Sequence, residues 1–265
     1  LHVHSNYSLL QGAFSIEELV REAARRGQEA VALTDTNGLY GAVDFYRAAR
    51  EAGLKPIIGS EIVYGGEQCV CLAADRRGYS SLCRLVTERR LAGTPHAAAF
   101  LQRGHRREDF NLADCLATHS EGLFLLTAGP GLLEKLSGRV EPGRLYAELR
   151  ADDPHSFELD CPSIAHPHRG EEHVSGEAPG EPVRRSDRMA IRRAAERLDV
   201  PLVATVNVNY LRPEDRETHA VLCAIRENRH LQELTEEDRM LAGPRSHMMS
   251  PQKVAGRLGG GAEVE

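Results

Sequence analysis

The chain has 265 residues with a formal net charge of −6, and 41% of its residues are hydrophobic. This balance is typical of one or two globular domains with a buried core, and it excludes disordered and fibrous proteins. No apolar run reaches the roughly 18 residues that a membrane span needs, so we expect no integral membrane protein. The negative charge argues against strong nonspecific nucleic-acid binding by this chain alone. Six cysteines without a Cys-x-x-Cys pair predict a reducing, cytoplasmic setting.

Strand and helix patterns alternate along most of the chain. Residues 1–4 predict the end of a strand, Ser15 and Glu18 form a Ser-x-x-Glu capping box that begins a helix, and Ala30–Leu33 is a short apolar strand. Further patterns predict strands at 56–64, 68–74, 122–127, 145–149 and 201–208, and helices at 42–52, 78–92, 132–136, 187–198 and 213–227. This alternation predicts an α/β barrel.

One domain is predicted to span residues 1–256. Within it, residues 151–186 contain five prolines together with several glycines and serines, which predicts an irregular loop insertion. Residues 257–265, with the sequence RLGGGAEVE, are predicted to be a flexible tail.

Two histidines flank Val3 at the end of the first predicted strand. Alternate residues of a strand point to the same side, so His2 and His4 direct two imidazoles toward one point. This arrangement suits Zn²⁺ or Mn²⁺, and the C-terminal ends of barrel strands are active-site positions. A His-x-His pair also occurs by chance, and a hydrogen-bonded polar pair explains it equally well.

A longer set of motifs follows in a fixed order. They are HVHSNYSLL, ALTDTNGLYGAVDFYRAAREAGLKPIIGSE, GYSSLCRLV, EGLFLLT and PLVATVNVNYLRPEDRETH. Together they resemble the PHP (polymerase and histidinol phosphatase) domain, most closely that of bacterial C-family polymerases, the DNA polymerase III alpha subunits. The resemblance implies a PHP-type distorted (β/α)7 TIM-like barrel. It also implies a barrel mouth that can hold three metal ions for phosphate-ester hydrolysis.

Only part of the ligand set implied by this resemblance is present. His2 and His4 match the opening His-x-His, and Glu61 matches the glutamate of a Gly-x-Glu motif. Six other ligand positions hold Gln11, Thr36, Gln68, Gly129, Asn207 and Asn209. These residues are poor ligands for divalent transition ions. The single negative charge of Glu61 cannot balance the positive charge of three such ions. We expect no trinuclear site and at most one Zn²⁺ or Mn²⁺, bound by His2, His4 and Glu61.

Two other groups are interpreted as structural. Cys69 and Cys71 alternate along a predicted strand, and we interpret them as small buried apolar residues rather than as metal ligands. Asp35 is predicted to cap the turn that follows it.

The function predicted from these residues is structural. As a PHP domain of a DNA polymerase III alpha-like protein, in replication or repair, the chain would support the polymerase core or other replication proteins and contact DNA only indirectly. The resemblance places the polymerase residues outside this chain, and we predict that the phosphoesterase activity is lost. Two alternatives stay open: an active metal-dependent phosphoesterase or 3′–5′ exonuclease, and a free-standing paralogue that acts as a protein-interaction module. An amidohydrolase barrel also begins with His-x-His, but no lysine lies at a mid-barrel strand end here.

Overall fold

A computed structural model describes residues 1–92, 110–151, 188–226, 228–230 and 246–258. The strands are β1 (His2–Val3), β2 (Ala30–Leu33), β3 (Lys55–Tyr64), β4 (Glu67–Ala73), β5 (Leu123–Thr127), β6 (Leu145–Arg150), β7 (Leu202–Thr205) and β8 (Asn207–Val208). The helices are α1 (Ile16–Arg25), α2 (Ala42–Glu51), α3 (Arg76–Leu91), α4 (Leu112–Thr118), α5 (Pro130–Leu136), α6 (Arg188–Leu198), α7 (Arg216–Arg226) and α8 (Pro251–Arg257), with a 3-10 turn at Pro213–Asp215.

The strands form a distorted barrel. Six of them make one sheet in the order β2-β3-β4-β5-β6-β7, and β1 pairs with β8. On one side of β1, its partner β8 continues the path of β7 beyond Val206. On the other side, the backbone N–H of Thr34, just after β2, donates a hydrogen bond to the Val3 carbonyl at 2.9 Å. β1 therefore lies between the two edges of the six-stranded sheet, and β7 and β8 share one of seven strand positions. The predicted α/β barrel is confirmed.

The barrel is distorted because β4 runs antiparallel to both of its neighbours. Gly65 and Gly66 connect β3 to β4, and both have positive φ, at 56° and 78°. A two-residue Gly-Gly turn matches the twist of an antiparallel hairpin, whereas a parallel return needs a long crossover. Tyr64 accordingly pairs with Glu67 directly across the turn.

Helices cover the outside of the barrel in two apolar clusters. One cluster joins α3, α4, α5 and α6 to the outer faces of β4, β5 and β6. The other joins α1 and α2 to β1 and β2. Cys69 and Cys71 are buried in the first cluster, which confirms their apolar interpretation. A smaller cluster fills the barrel interior, with Ala32, Val70, Leu72 and Leu126 as its buried members.

The predicted segments agree with the structure to within about two residues at most ends, and there are three differences. The predicted strand 201–208 is interrupted at Val206, and the patterns did not predict α4 or α8. Each of these helices has seven residues, which is too short for a clear helical period. The predicted loop 151–186 lies outside the described residues from 152 onward, and the predicted tail does so from 259. None of the helices that the structure describes is both long and apolar enough to cross a membrane.

Candidate metal centre

The structure brings the three predicted ligands together at the barrel mouth. His2 Nε2 lies 3.2 Å from Glu61 Oε1, and His4 Nε2 lies 3.6 Å from Glu61 Oε2. All three side chains are buried, and one ligand atom from each lies within 4.8 Å of the other two. Val3 between the histidines packs outward into the α1 and α2 cluster, so the alternation of β1 turns both imidazoles inward.

Glu148 of β6 is a further member of this site that the sequence patterns did not single out. Its Oε1 accepts a hydrogen bond from His2 Nδ1 at 2.9 Å and another from the Thr205 hydroxyl at 2.7 Å. A carboxylate on the second nitrogen of a histidine fixes the ring orientation, as it does behind metal-bound histidines. The strand alternation could have identified Glu148 from the sequence. Ala147 and Leu149 face outward, so the charged residue between them faces the barrel interior.

The charges at the site are strongly coupled. Burial alone lowers the pKa of His2, but the charges of Glu148 and Glu61 and the hydrogen bonds to them outweigh burial and raise that pKa to about 9. Burial raises the pKa of Glu61, yet the hydrogen bond and positive charge of His2 lower it to about 2. Burial raises the pKa of Glu148 as well, but the charge and hydrogen bond of His2, the charge of Arg150 and the hydrogen bond from Thr205 together lower it. At neutral pH a protonated imidazole therefore bridges two carboxylates.

His4 differs from His2 in its protonation. Burial lowers the pKa of His4 to about 3, against the opposing charge of Glu61 and with the help of the positive charges of His2 and Arg150. His4 is therefore neutral at pH 7, the form in which an imidazole nitrogen can bind a metal ion.

The substituted ligand positions bind one another and the retained ligands. Thr36 Oγ1 donates to Gln11 Oε1 at 2.9 Å, and it lies 3.3 Å from both His4 Nδ1 and Glu61 Oε2. Thr36 thus occupies the centre of a hydrogen-bonded group at the point where the resemblance implies a ligand histidine.

The remaining substituted positions make local contacts. Asn209 Nδ2 donates to the Asn207 carbonyl at 3.3 Å, and Asn207 pairs with His2 in the β1–β8 ladder. The Thr127 hydroxyl donates to the Gln68 carbonyl at 3.0 Å and accepts the Gly129 N–H at 3.1 Å. These contacts hold strand ends together.

The residues present fit one divalent ion and do not fit three. The Nε2 atoms of His2 and His4 are buried, and although both approach Glu61 they lack a well-aligned hydrogen bond. Two imidazole nitrogens and one carboxylate are a ligand set for Zn²⁺ or Mn²⁺, which would supply a Lewis acid when bound. Further ions would need charged or imidazole donors at positions that hold neutral amides and a hydroxyl.

Asp35 has a different role from the predicted cap of its own turn. Its carboxylate accepts hydrogen bonds from the Ser5 backbone N–H and from the Ser8 hydroxyl, each at 2.7 Å. The prediction was wrong because the loop after β1 folds back over the end of β2 and offers buried donors to Asp35. Burial raises the pKa of Asp35, against the effect of these hydrogen bonds.

Comparison of the chain with known proteins identifies its family. Residues 1–149 match the PHP domain. The chain is 33% identical over 250 residues to the error-prone DNA polymerase of Symbiobacterium thermophilum, an alignment that covers 85% of this chain and 20% of the polymerase. It is 27% identical over 279 residues to the DNA polymerase III subunit alpha of Aquifex aeolicus, covering 95% and 22%. The chain therefore spans about a fifth of the length of these relatives.

Solved structures give a more distant likeness. An amidohydrolase from Chromobacterium violaceum is 16% identical with a TM-score of 0.42, covering 76% of this chain and 84% of that one. The family assignment is carried by the sequence match, which extends over more than half of the 265 residues. The chain belongs to the PHP domain family.

Proposed function

We propose that this chain is the PHP domain of a DNA polymerase III alpha-like protein and that it acts as a structural support for a polymerase core, with its phosphoesterase site largely lost. The observation that carries this proposal is the hydrogen bonding of the substituted ligand positions. Thr36 contacts Gln11, His4 and Glu61. Side-chain contacts therefore hold the barrel mouth together at the place where an active PHP site would bind metal ions.

The charge distribution supports the same proposal. Protonated His2 lies between Glu61 and Glu148 and supplies a positive charge that a bound cation would otherwise supply. A buried carboxylate pair without such a charge would be strongly destabilising. The cluster is therefore stable without an ion, which suits a structural role.

This proposal includes at most one Zn²⁺ or Mn²⁺ on His2, His4 and Glu61. Nucleotide transfer would belong to the remainder of a longer protein, with the polymerase core or other replication proteins as partners in the cytoplasm. The net charge of −6 supports indirect rather than direct contact with DNA.

Hydrolysis assays separate the structural role from the active alternative. The purified chain is supplied with Mn²⁺, Zn²⁺ or Mg²⁺ and tested on 3′-end-labelled single-stranded and duplex DNA and on a small phosphodiester. We expect no more hydrolysis than the His2→Ala/His4→Ala variant gives. Metal-dependent hydrolysis that disappears in this variant would support an active phosphoesterase or 3′–5′ exonuclease instead.

A further inference from the structure

A second group of metal-ligating side chains lies outside the barrel, between α3 and α4. Cys115 and the C-cap residue His119 are four residues apart, so they project from the same face of α4. Glu88 of α3 faces both: its Oε1 lies 2.8 Å from His119 Nε2, and its Oε2 lies 3.4 Å from Cys115 Sγ. One ligand atom from each residue lies within 4.8 Å of the other two.

The three donors are a sulfur, an imidazole nitrogen and a carboxylate oxygen, which are the ligand types of Zn²⁺. With Zn–S near 2.3 Å and Zn–N and Zn–O near 2.1 Å, ligand atoms of a tetrahedral site lie about 3.4–3.6 Å apart. The observed separations are 2.8 Å from His119 Nε2 to one Glu88 oxygen and 3.4 Å from Cys115 Sγ to the other, and all three ligand atoms lie within 4.8 Å of one another. Side-chain movements of about 1 Å are therefore enough to enclose an ion.

The protons and charges of the group suit a dication. The Glu88 carboxylate accepts hydrogen bonds from the Cys115 thiol and from the His119 N–H. One cation would therefore replace two protons that both point at this carboxylate. A thiolate and a carboxylate together carry two negative charges, which balance one divalent ion.

The exposure of the group allows an ion to enter. Cys115 is buried, but the side chains of His119 and Glu88 are 14% and 29% exposed. An ion can therefore reach the ligands from solvent, and a water molecule can complete the tetrahedron.

We propose that Glu88, Cys115 and His119 form a second metal site, which binds one Zn²⁺-like divalent cation. The site is separate from the barrel mouth, because its ligands lie in the outer helical layer. The ion would link α3 and α4 through ligands 27 residues apart in the sequence, Glu88 and Cys115, and closing such a loop stabilises the folded chain. This site does not depend on whether the barrel mouth is structural or active.

Co²⁺ is the probe, since a thiolate bound to Co²⁺ gives an intense near-ultraviolet charge-transfer band that nitrogen and oxygen ligands do not give. Titration of the 265-residue chain should develop this band, and Zn²⁺ should abolish it by competition; in the His2→Ala/His4→Ala variant, which lacks the barrel-mouth ligands, the band should saturate at one equivalent. Cys115→Ser should eliminate the band. His119→Gln, which changes a partly exposed residue, should weaken binding by about tenfold or more while circular dichroism shows that the chain remains folded.

Two control variants separate this site from others. Cys223→Ser removes a second cysteine that lies near a histidine: His219 is four residues before it, and the Sγ–Nε2 distance is 3.6 Å. His2→Ala/His4→Ala removes the ligands of the barrel mouth. The band should persist in both controls. No band in the parent chain, a band that survives Cys115→Ser, or loss of the band in Cys223→Ser would each overturn the proposal.

Discussion

His2 is the residue on which the barrel mouth depends most. It is fully buried, and its two ring nitrogens approach Glu148 at 2.9 Å and Glu61 at 3.2 Å. Three ionised groups are therefore buried together, and each is stabilised by the opposite charge beside it, with the Thr205 hydroxyl as a further donor to Glu148. Removing His2 would leave two buried carboxylates without the positive charge that they share, and removing either carboxylate takes a buried counter-charge away from His2; each change costs more than the loss of one ordinary contact.

Glu148→Gln tests this network with almost no change in shape. We expect a loss of about 3 kcal/mol in the free energy of unfolding, because the protonated His2 loses one of its two counter-charges. Urea denaturation measures the loss. Thr205→Val is the matched control, since it removes the hydroxyl that donates to the same carboxylate at 2.7 Å but leaves the charges in place, and it should cost about 1 kcal/mol. Equal losses in the two variants would contradict the importance of the charge.

Glu22 predicts a specific acid sensitivity. Hydrogen bonds from Arg25, then from Arg26, lower the pKa of this buried carboxyl to about 2, against the opposing effect of burial. A pKa that is lower in the folded state than in the unfolded state stabilises the fold at higher pH. The stabilisation is lost as the pH falls from about 4.5 toward 2.

We therefore expect Glu22→Gln to flatten the decline in stability over that pH range. The difference at neutral pH should be about 1–2 kcal/mol, reduced because the Arg25 side chain is well exposed. Denaturation curves at several pH values measure it. Glu17→Gln, an exposed position on the same helix, should leave the pH profile unchanged, and a similar profile change in both variants would refute this role of Glu22.

At the scale of elements, local signals predicted some boundaries well and others not at all. The capping box of Ser15 and Glu18 is present, with bonds of 3.3 Å and 2.8 Å, and it fixes the start of α1. The predicted strand Ala30–Leu33 has the same first and last residues as β2 in the structure. The direction of β4 was not predicted, although Gly65 and Gly66 carried the hairpin signal. Short α4 was missed because its Asn111 cap is followed by only two turns.

The contact between the start of α3 and the turn before β5 depends on two glycines. A Cβ on Gly78 would lie 2.0 Å from the Gly122 carbonyl oxygen, which is backbone and cannot move aside easily. Gly78→Ala should therefore cost about 3 kcal/mol, measured as a lower urea midpoint. A Cβ on Gly131 in α5 would meet nothing within 4 Å, so Gly131→Ala should be neutral or stabilise by about 0.5–1 kcal/mol. Similar effects at both positions would show that helix propensity, not close packing, controls them.

At the scale of the whole molecule, the candidate site could be predicted in part. His2, His4 and Glu61 belong to motifs that can be read from the sequence, and the structure brings them together. Glu148 is 146 residues from His2, and only the closure of the barrel makes them neighbours. The group formed by Glu88 and Cys115 likewise depends on how two helices pack, which no local pattern encodes.

The most direct measurement is the metal content per chain, by mass spectrometry after purification without chelators or a histidine tag. It is made on the Cys115→Ser variant, so that the outer site does not contribute. We expect at most one Zn²⁺ or Mn²⁺ per chain, which is lost when His2→Ala and His4→Ala are added. Thr36→His/Asn207→Asp/Asn209→His is the positive control and should bind more metal, because it restores charged and imidazole donors. Two or three ions per chain without those restoring substitutions would contradict the lapsed metal site.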